Sequence, residues 1–259
     1  MCLILFAKKF HPRYKLILAA NRDEFYDRPS TAAGYWNDIP NLLAGKDLKA
    51  NGTWLGITRQ GKIAAVTNFR DFYSQKEKTE FKSRGNLVTK YLTENFSPKE
   101  FSTYLSIHGI EYNGFNLIFG TPDELYHYSN ITNATTRVEN GIHGQSNHLL
   151  DTPWPKVHSG KLRFRKILST DEVSIDEIFN LLSDDKQFDD ELLPDTGVGL
   201  EYERVLSSIF IKSPIYGTRS STVITINMED KVQFVERTHD NQNGGLTFIN
   251  HEFQIEKMA

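Results

Sequence analysis

The chain has 259 residues, with 30 Lys plus Arg against 33 Asp plus Glu, 39% hydrophobic and 12% aromatic residues, and a single cysteine at position 2. A lone thiol excludes an internal disulfide and a Cys-rich zinc or iron–sulfur site, and a formal net charge of -3 leaves no basic footprint for nucleic acid or an anionic membrane. The apolar content supports a sizeable core, and no stretch reaches the roughly 18 apolar residues of a membrane helix.

Residues 2–7 and 14–21 are apolar, β-rich runs around a polar connection, and read as a hairpin whose second strand ends at Asn21-Arg22-Asp23-Glu24. Residues 54–58 and 63–67 flank Arg59-Gln60-Gly61-Lys62, a loop of hairpin length with Gly where a left-handed residue is useful. Over 83–95, Leu87, Val88, Tyr91 and Leu92 fall near one helical face; a second helix is predicted over 98–107, capped by Ser97 with Pro98 in its first turn. Strands return at 115–119 and 124–129, then helices at 155–168 and, behind a Ser174 cap, at 175–182. The acidic stretch 184–191 reads as a solvated connection, and the tail 207–249 carries at least three strands, including 222–226 and 232–237.

This order in blocks argues for an α+β fold of antiparallel sheets covered by segregated helices, not a doubly wound nucleotide fold. The absence of a Gly-rich phosphate fingerprint after a strand agrees. No repeat or linker divides the chain, so 1–259 is expected to be a single domain. The N-terminus lacks a basic leader before Leu3-Ile4-Leu5-Phe6, which predicts no secretory signal and a cytoplasmic protein.

Cys2 is the residue that needs explaining. Removal of Met1 would place a thiol and a free α-amine on one carbon, and an amine with a pKa near 8 can serve as base to a nucleophilic thiol. The structural alternative is a small apolar residue starting a buried strand. Among the other candidates, Arg22 suits a phosphate or carboxylate because its fork is planar and bidentate. Trp54 and Trp154 read as core aromatics. His143 and His148 are expected in a loop, where a metal or haem contact is conceivable but lacks Cys or carboxylate partners nearby in sequence.

Cys2-Leu3-Ile4-Leu5-Phe6, followed by Leu18-Ala19-Ala20-Asn21-Arg22-Asp23-Glu24-Phe25-Tyr26-Asp27-Arg28-Pro29, resembles the opening of the NRDE family, also called the Transport and Golgi Organisation 2 family. Further blocks match in order: Asn51-Gly52-Thr53-Trp54-Leu55-Gly56, Val66-Thr67-Asn68-Phe69-Arg70, Ser146-Asn147 with Thr152-Pro153-Trp154-Pro155-Lys156, and Gly217-Thr218-Arg219-Ser220-Ser221-Thr222-Val223. The resemblance implies an N-terminal-nucleophile hydrolase-like fold, a four-layer αββα sandwich of two antiparallel sheets. The same blocks are similar to those of penicillin V acylases and bile salt hydrolases. That likeness implies Cys2 as nucleophile, Asp23 as the carboxylate that holds the α-amine, Asn68 and Asn147 beside the reacting carbonyl, and Arg219 as a late-strand arginine. Asn21, Arg22 and Glu24 of the motif are candidate ligand contacts. One departure stands out: the arginine that those amidases carry three residues before the carboxylate corresponds here to Ala20.

Two functions follow as expectations. One is a Cys2-dependent hydrolase of amide or thioester acyl substrates, requiring no cofactor. The other, implied by the family's roles in haem trafficking and in lipid or acyl-coenzyme A homeostasis, is a binding protein for an amphipathic acid, with haem as a ligand. Both predict a small-molecule partner and no integral membrane segment.

Overall fold

Antiparallel pairing sorts the strands into two sheets in the computed structural model, which describes residues 2–73, 81–240 and 245–256. Met1, whose removal the nucleophile hypothesis requires, lies outside them. In chain order the strands are β1 (Cys2–Lys8), β2 (Tyr14–Phe25), β3 (Ser30–Tyr35), β4 (Leu42–Asp47), β5 (Leu55–Thr58), β6 (Ile63–Asn68), β7 (Phe115–Gly120), β8 (Leu125–Ser129), β9 (Ala134–Arg137), β10 (Gly141–Gln145), β11 (Tyr216–Asn227), β12 (Lys231–Asp240) and β13 (Gly245–Gln254). The helices are α1 (Gly85–Thr93), α2 (Pro98–His108), α3 (Pro155–Ile167), α4 (Ile175–Leu182) and α5 (Leu200–Ser207). One sheet has the order β10-β1-β2-β11-β12-β13 and the other β3-β4-β5-β6-β7-β8-β9.

The strand period of two assigns each side chain to a layer. Ile4, Phe6 and Leu18 of the first sheet meet Leu55, Ile57 and Ile118 of the second, forming the inner core. The alternate residues Leu3, Leu5, Ile17 and Ala19 pack outward against Val157 and Phe164 of α3 and Ile178 and Phe179 of α4. On the far side, Leu42, Ala64, Val66 and Leu117 pack against Leu87 and Tyr91 of α1 and Phe101 and Leu105 of α2. The result is the expected αββα sandwich. Strands covered on both faces explain why β1 and β6 read as nearly unbroken apolar runs. Among the described residues, no helix is long and apolar enough to cross a membrane.

Local chemistry sets the helix ends. Ser97 accepts from the Glu100 amide while the Glu100 carboxylate accepts from the Ser97 amide, a reciprocal capping box with Pro98 in the first turn. Ser174 caps α4 by accepting from the Glu177 amide.

Several expectations change. β2 does not end at Asn21-Arg22-Asp23-Glu24 but runs through it to Phe25, because β1 pairs with it on one side and β11 on the other. The polar motif therefore lies inside a sheet. His143 lies on β10, opposite Phe6, instead of in a loop; β10 carries two glycines in five residues, which hid it. β3 and β4 went unpredicted because Ala and Gly dilute their β signal and a register shift breaks their pairing between Thr31 and Gly34. α5 escaped notice because its buried side is mainly Glu203 and Leu206, which gives no apolar stripe.

One close approach fixes the second sheet beside α1. A Cβ on Gly52 would come within 2.8 Å of the Gly85 carbonyl carbon, and one on Gly85 within 3.0 Å of the Thr53 oxygen. Neither neighbour is a flexible side-chain tip, so both must move as backbone. Gly52→Ala is expected to lower unfolding free energy by about 1–3 kcal/mol in urea denaturation, the range for overpacking; an unchanged midpoint would show that the approach is not tight.

Candidate active site

The register of β1, β2 and β11 builds the site. Cys2 is paired with Arg22, and Arg22 with Ser220, so these three side chains share the face that looks between the sheets. Asp23, paired with Thr218, projects to the opposite, helix-covered face. Arg219 is the extra residue where the register shifts between Thr218 and Ser220, a bulge.

A cleft of about 420 Å³ opens over the first face, with Cys2, Arg22, Trp54, Asn68, Arg84 and Glu236 among its lining residues. Cys2 is 7% exposed and is the cleft's thiol. Burial pushes that thiol above its ordinary pKa; the Asp23 backbone N–H, hydrogen-bonded to the sulfur, pulls the other way. Arg22 is 8% exposed. Its Nη2 lies 3.8 Å from Asp47 Oδ2, but that carboxylate is engaged more closely by Arg28 Nε at 2.6 Å and by the amides of Lys49 and Ala50. Arg22 Nη1 is buried without a hydrogen-bond partner among the described residues. An unsatisfied buried donor costs about 1–3 kcal/mol, and more when charged, so this nitrogen has unused hydrogen-bonding capacity facing the cleft.

Behind the sheet, Asp23 Oδ1 accepts from Thr218 Oγ1 at 2.7 Å and the Asp23 carbonyl accepts from Tyr216 Oη at 2.9 Å. Burial raises the Asp23 carboxyl, opposed chiefly by the Lys156 ammonium. Lys156, at the start of α3, is 2% exposed and donates to the Leu206 carbonyl at 2.8 Å. Burial brings its pKa down to about 8. Beside it, Arg70 Nη2 and Glu203 Oε2 form a 2.7 Å ion pair with both side chains 3% exposed. Glu203 Oε1 also accepts from the amide and hydroxyl of Thr196, and the Arg70 guanidinium lies over the Trp154 ring at 4.8 Å.

The expected residues thus divide. Cys2, Arg22, Glu24, Asn68 and Arg219 line the cleft, and Asp23 borders it while its carboxyl bonds Thr218 on the helix side. Asn68 ends β6, and no hydrogen bond to its side-chain amide occurs among the described residues. Glu24 sits at the rim, 3.8 Å from Arg28 Nε. Asn21 is corrected: it projects to the helix side, where its amide donates to Leu182 O at 2.8 Å and Ile209 O at 2.9 Å and accepts from Ser221. It is a tie between β2 and the helix layer, not a ligand contact. Asn147 is corrected likewise. It is fully buried and outside the cleft lining, its Nδ2 donating to the Asn68 carbonyl at 3.0 Å. Ser146 Oγ lies 3.2 Å from Asn147 Oδ1 and 3.3 Å from the Cys2 carbonyl, linking β1 to the end of β6 from below. Arg219 spends Nη1 on the carbonyls of Phe25, Tyr26 and Arg28, at 2.8, 3.2 and 3.0 Å. It clamps the turn after β2 while lining the cleft.

His143 bonds Asp151 at 2.7 Å and stacks on Phe6, and His148 bonds Thr152 and lies between Phe69 and Trp154. Neither lines the cleft. Trp154 is the packing residue expected, whereas Trp54 both packs against the cores and lines the cleft. Lys156, Arg70 and Glu203 carry no local mark of buried charges, since these types are normally solvated. Strand alternation would put Thr218 and Ser220 on one face; the bulge at Arg219 sends them to opposite faces, which no local signal announces.

Two sandwiched antiparallel sheets with outer helices and a thiol at the start of the first strand define an N-terminal-nucleophile hydrolase-like fold. A solved mutant of the conjugated bile acid hydrolase from Clostridium perfringens has this fold, with a TM-score of 0.51, 10% identity, and coverage of 99% of this chain and 98% of that one. Residues 1–241 match the family model of Transport and Golgi organisation 2, and this chain belongs to that family. It is 35% identical over 261 residues to the Transport and Golgi organization 2 homolog of Mus musculus, covering 92% of this chain and 93% of the relative. The Homo sapiens homolog is 36% identical over 261 residues, again covering 92% and 93%.

Breaking the Arg70–Glu203 pair would strand a buried carboxylate. Arg70→Met is expected to cost about 3–5 kcal/mol in chemical denaturation, and a cost below about 1 kcal/mol, the range of a surface pair, would contradict the assignment. For the thiol, a pKa held high by burial means less thiolate at neutral pH than in free cysteine. In protein retaining Met1, iodoacetamide should label Cys2 more slowly than free cysteine near pH 7, with a rate that keeps rising above pH 9; faster labelling would reverse the sign.

Proposed function

We propose that the chain is a Cys2-dependent hydrolase that cleaves an amide or thioester of a small amphipathic acid. Loss of Met1 gives Cys2 a free α-amine, which takes the thiol proton while the sulfur attacks the acyl carbonyl carbon. The carbonyl oxygen becomes an oxyanion facing the Asn68 amide, a donor of a kind worth about 2.7–4 kcal/mol. Collapse expels the amine or thiol leaving group, which recovers the proton from the α-ammonium. Water then attacks the Cys2 thioester, releasing the carboxylic acid and the free thiol. Asp23 orients the ammonium from the far side of β2, and Arg22 holds an anionic part of the substrate. The observation that carries this reading is the shared wall of Cys2 and the unpartnered Arg22 Nη1 in one cleft.

Charge-assisted hydrogen bonds contribute about 1.5–3 kcal/mol, which is tenfold or more in affinity. With a panel of acyl amides and acyl-thioesters, the wild type should release the free acid and Cys2→Ala should release none. Arg22→Ala should raise KM about tenfold for anionic members only. Absence of product from every substrate, with a folded protein that retains Met1, would overturn the proposal.

A second reading is a carrier for an acyl-coenzyme A or haem. It is favoured by one observation, that burial keeps the thiol protonated while Arg22, Arg28 and Arg84 gather around the same cleft. It predicts binding that survives Cys2→Ala, fails in Arg22→Ala and yields no product.

A further inference from the structure

Two buried charges of opposite sign stand on the cleft wall, two strands apart, and no ion pair or hydrogen bond joins them among the described residues. Arg22 on β2 is 8% exposed with Nη1 unpartnered among those residues, and the Asp47 carboxylate 3.8 Å from its Nη2 is held more closely by Arg28. Glu236 on β12 is 4% exposed. Its Oε1 accepts from the Ala33 amide at 2.7 Å, within the register shift of β3, and its Oε2 accepts from Thr222 Oγ1 at 3.1 Å. Both partners are neutral. A glutamine at 236 could accept from Ala33 and donate to Thr222 without burying a charge, so these two bonds do not account for a carboxylate. Each buried ion costs several kcal/mol to desolvate, and an opposite charge at close range is what offsets that cost.

The strand between them shapes what they can hold. Arg22 is opposite Ser220 and Glu236 is opposite Thr222, so the four share the cleft face of three neighbouring strands. Ser220 and Thr222 are short, which leaves a shelf over β11 between the guanidinium and the carboxylate. Arg22, Ser220 and Glu236 all line the cleft, and Cys2 is the next residue along the row beyond Arg22. We propose that this shelf binds a zwitterionic α-amino acid head group, its carboxylate on Arg22 and its ammonium on Glu236. A lone anion would satisfy Arg22 and be repelled by Glu236, and a lone cation would do the reverse; a zwitterion neutralises both. Burial raises the Glu236 carboxyl, opposed by the Ala33 amide, the Thr222 hydroxyl and the Arg22 charge, and a ligand ammonium adds to that opposition. The inference rests on the hydrolase reading and names its substrate class. β11 lies two strand spacings, roughly 9–10 Å, from β1, so a short chain joins the head group to the scissile carbonyl over Cys2, as in an amide formed on the side chain of an amino acid.

Calorimetric titration of the full chain carrying Cys2→Ala reads binding without turnover, so failure here is distinguishable from failure of the hydrolase proposal, which is read by product. Three compounds are compared at neutral pH: Nε-acetyl-L-lysine, 6-acetamidohexanoate, which lacks the α-ammonium, and N-acetylcadaverine, which lacks the carboxylate. Nε-acetyl-L-lysine should bind about tenfold or more tightly than either analogue, the worth of one charge-assisted hydrogen bond. Adding Glu236→Gln, which can keep both hydrogen bonds within the protein, should weaken Nε-acetyl-L-lysine about tenfold and 6-acetamidohexanoate not at all. Adding Arg22→Gln instead should abolish the preference over N-acetylcadaverine. Equal affinity for the three compounds, or binding of none, would overturn the inference without recourse to a second variant. A uniform loss across all three in Glu236→Gln would also overturn it, leaving Glu236 a tie between β12 and β3.

Discussion

The candidate site depends on one constraint, the register of β2 between β1 and β11. Cys2 opposite Arg22, and Arg22 opposite Ser220, puts a thiol, a guanidinium and a hydroxyl on the cleft side. Asp23 opposite Thr218 puts the carboxylate on the helix side. A slip of one residue would exchange the two faces entirely, sending Arg22 into the helix layer and Asp23 into the cleft. Ile4, Phe6, Leu18 and Ala20 in the inner core hold the register, because any slip would expose them to the wrong layer.

That division of faces allows opposite charges to work on one strand without cancelling. On the cleft side, Arg22 retains a buried nitrogen with no partner among the described residues, a stored capacity for an acceptor. On the other side Arg70 is neutralised by Glu203, and Asp23 is held by the Thr218 hydroxyl. The bulge at Arg219 adds a third element, since the extra residue frees its guanidinium to gather three carbonyls of the turn after β2 and so fixes the rim. Ala20 and Arg22 share a face by alternation, so Arg22 stands one pleat from Ala20 on the cleft-side wall of β2.

Much of the scaffold was legible in the sequence because its signals are local. The capped helices α2 and α4 and the β5–β6 hairpin follow from residue types within a few positions of one another. The block order points to segregated helices over antiparallel sheets, and the family motifs single out Cys2, Arg22, Asp23 and Asn68, which meet at the N-terminal end of β1 and its neighbours. What was not legible depends on contacts distant in sequence. Asn21 and Asn147 carry the residue type of a catalytic amide, yet Leu182, Ile209 and Asn68 claim their donors. Lys156 and Glu203 look like surface residues until α3 and α5 are folded over the sheet. The strands β3, β4 and β10 are held by partners more than by their own Ala- and Gly-rich sequences.

The central claim is that Cys2 becomes an N-terminal nucleophile. It is tested most directly by intact mass of the purified protein before and after exposure to a cysteine-directed acyl ester, with Cys2→Ala as control. The account predicts a mass lacking Met1, a single acyl adduct on the wild type alone, and discharge of that adduct by water with time. A folded protein that keeps Met1 and takes up no acyl group would contradict it.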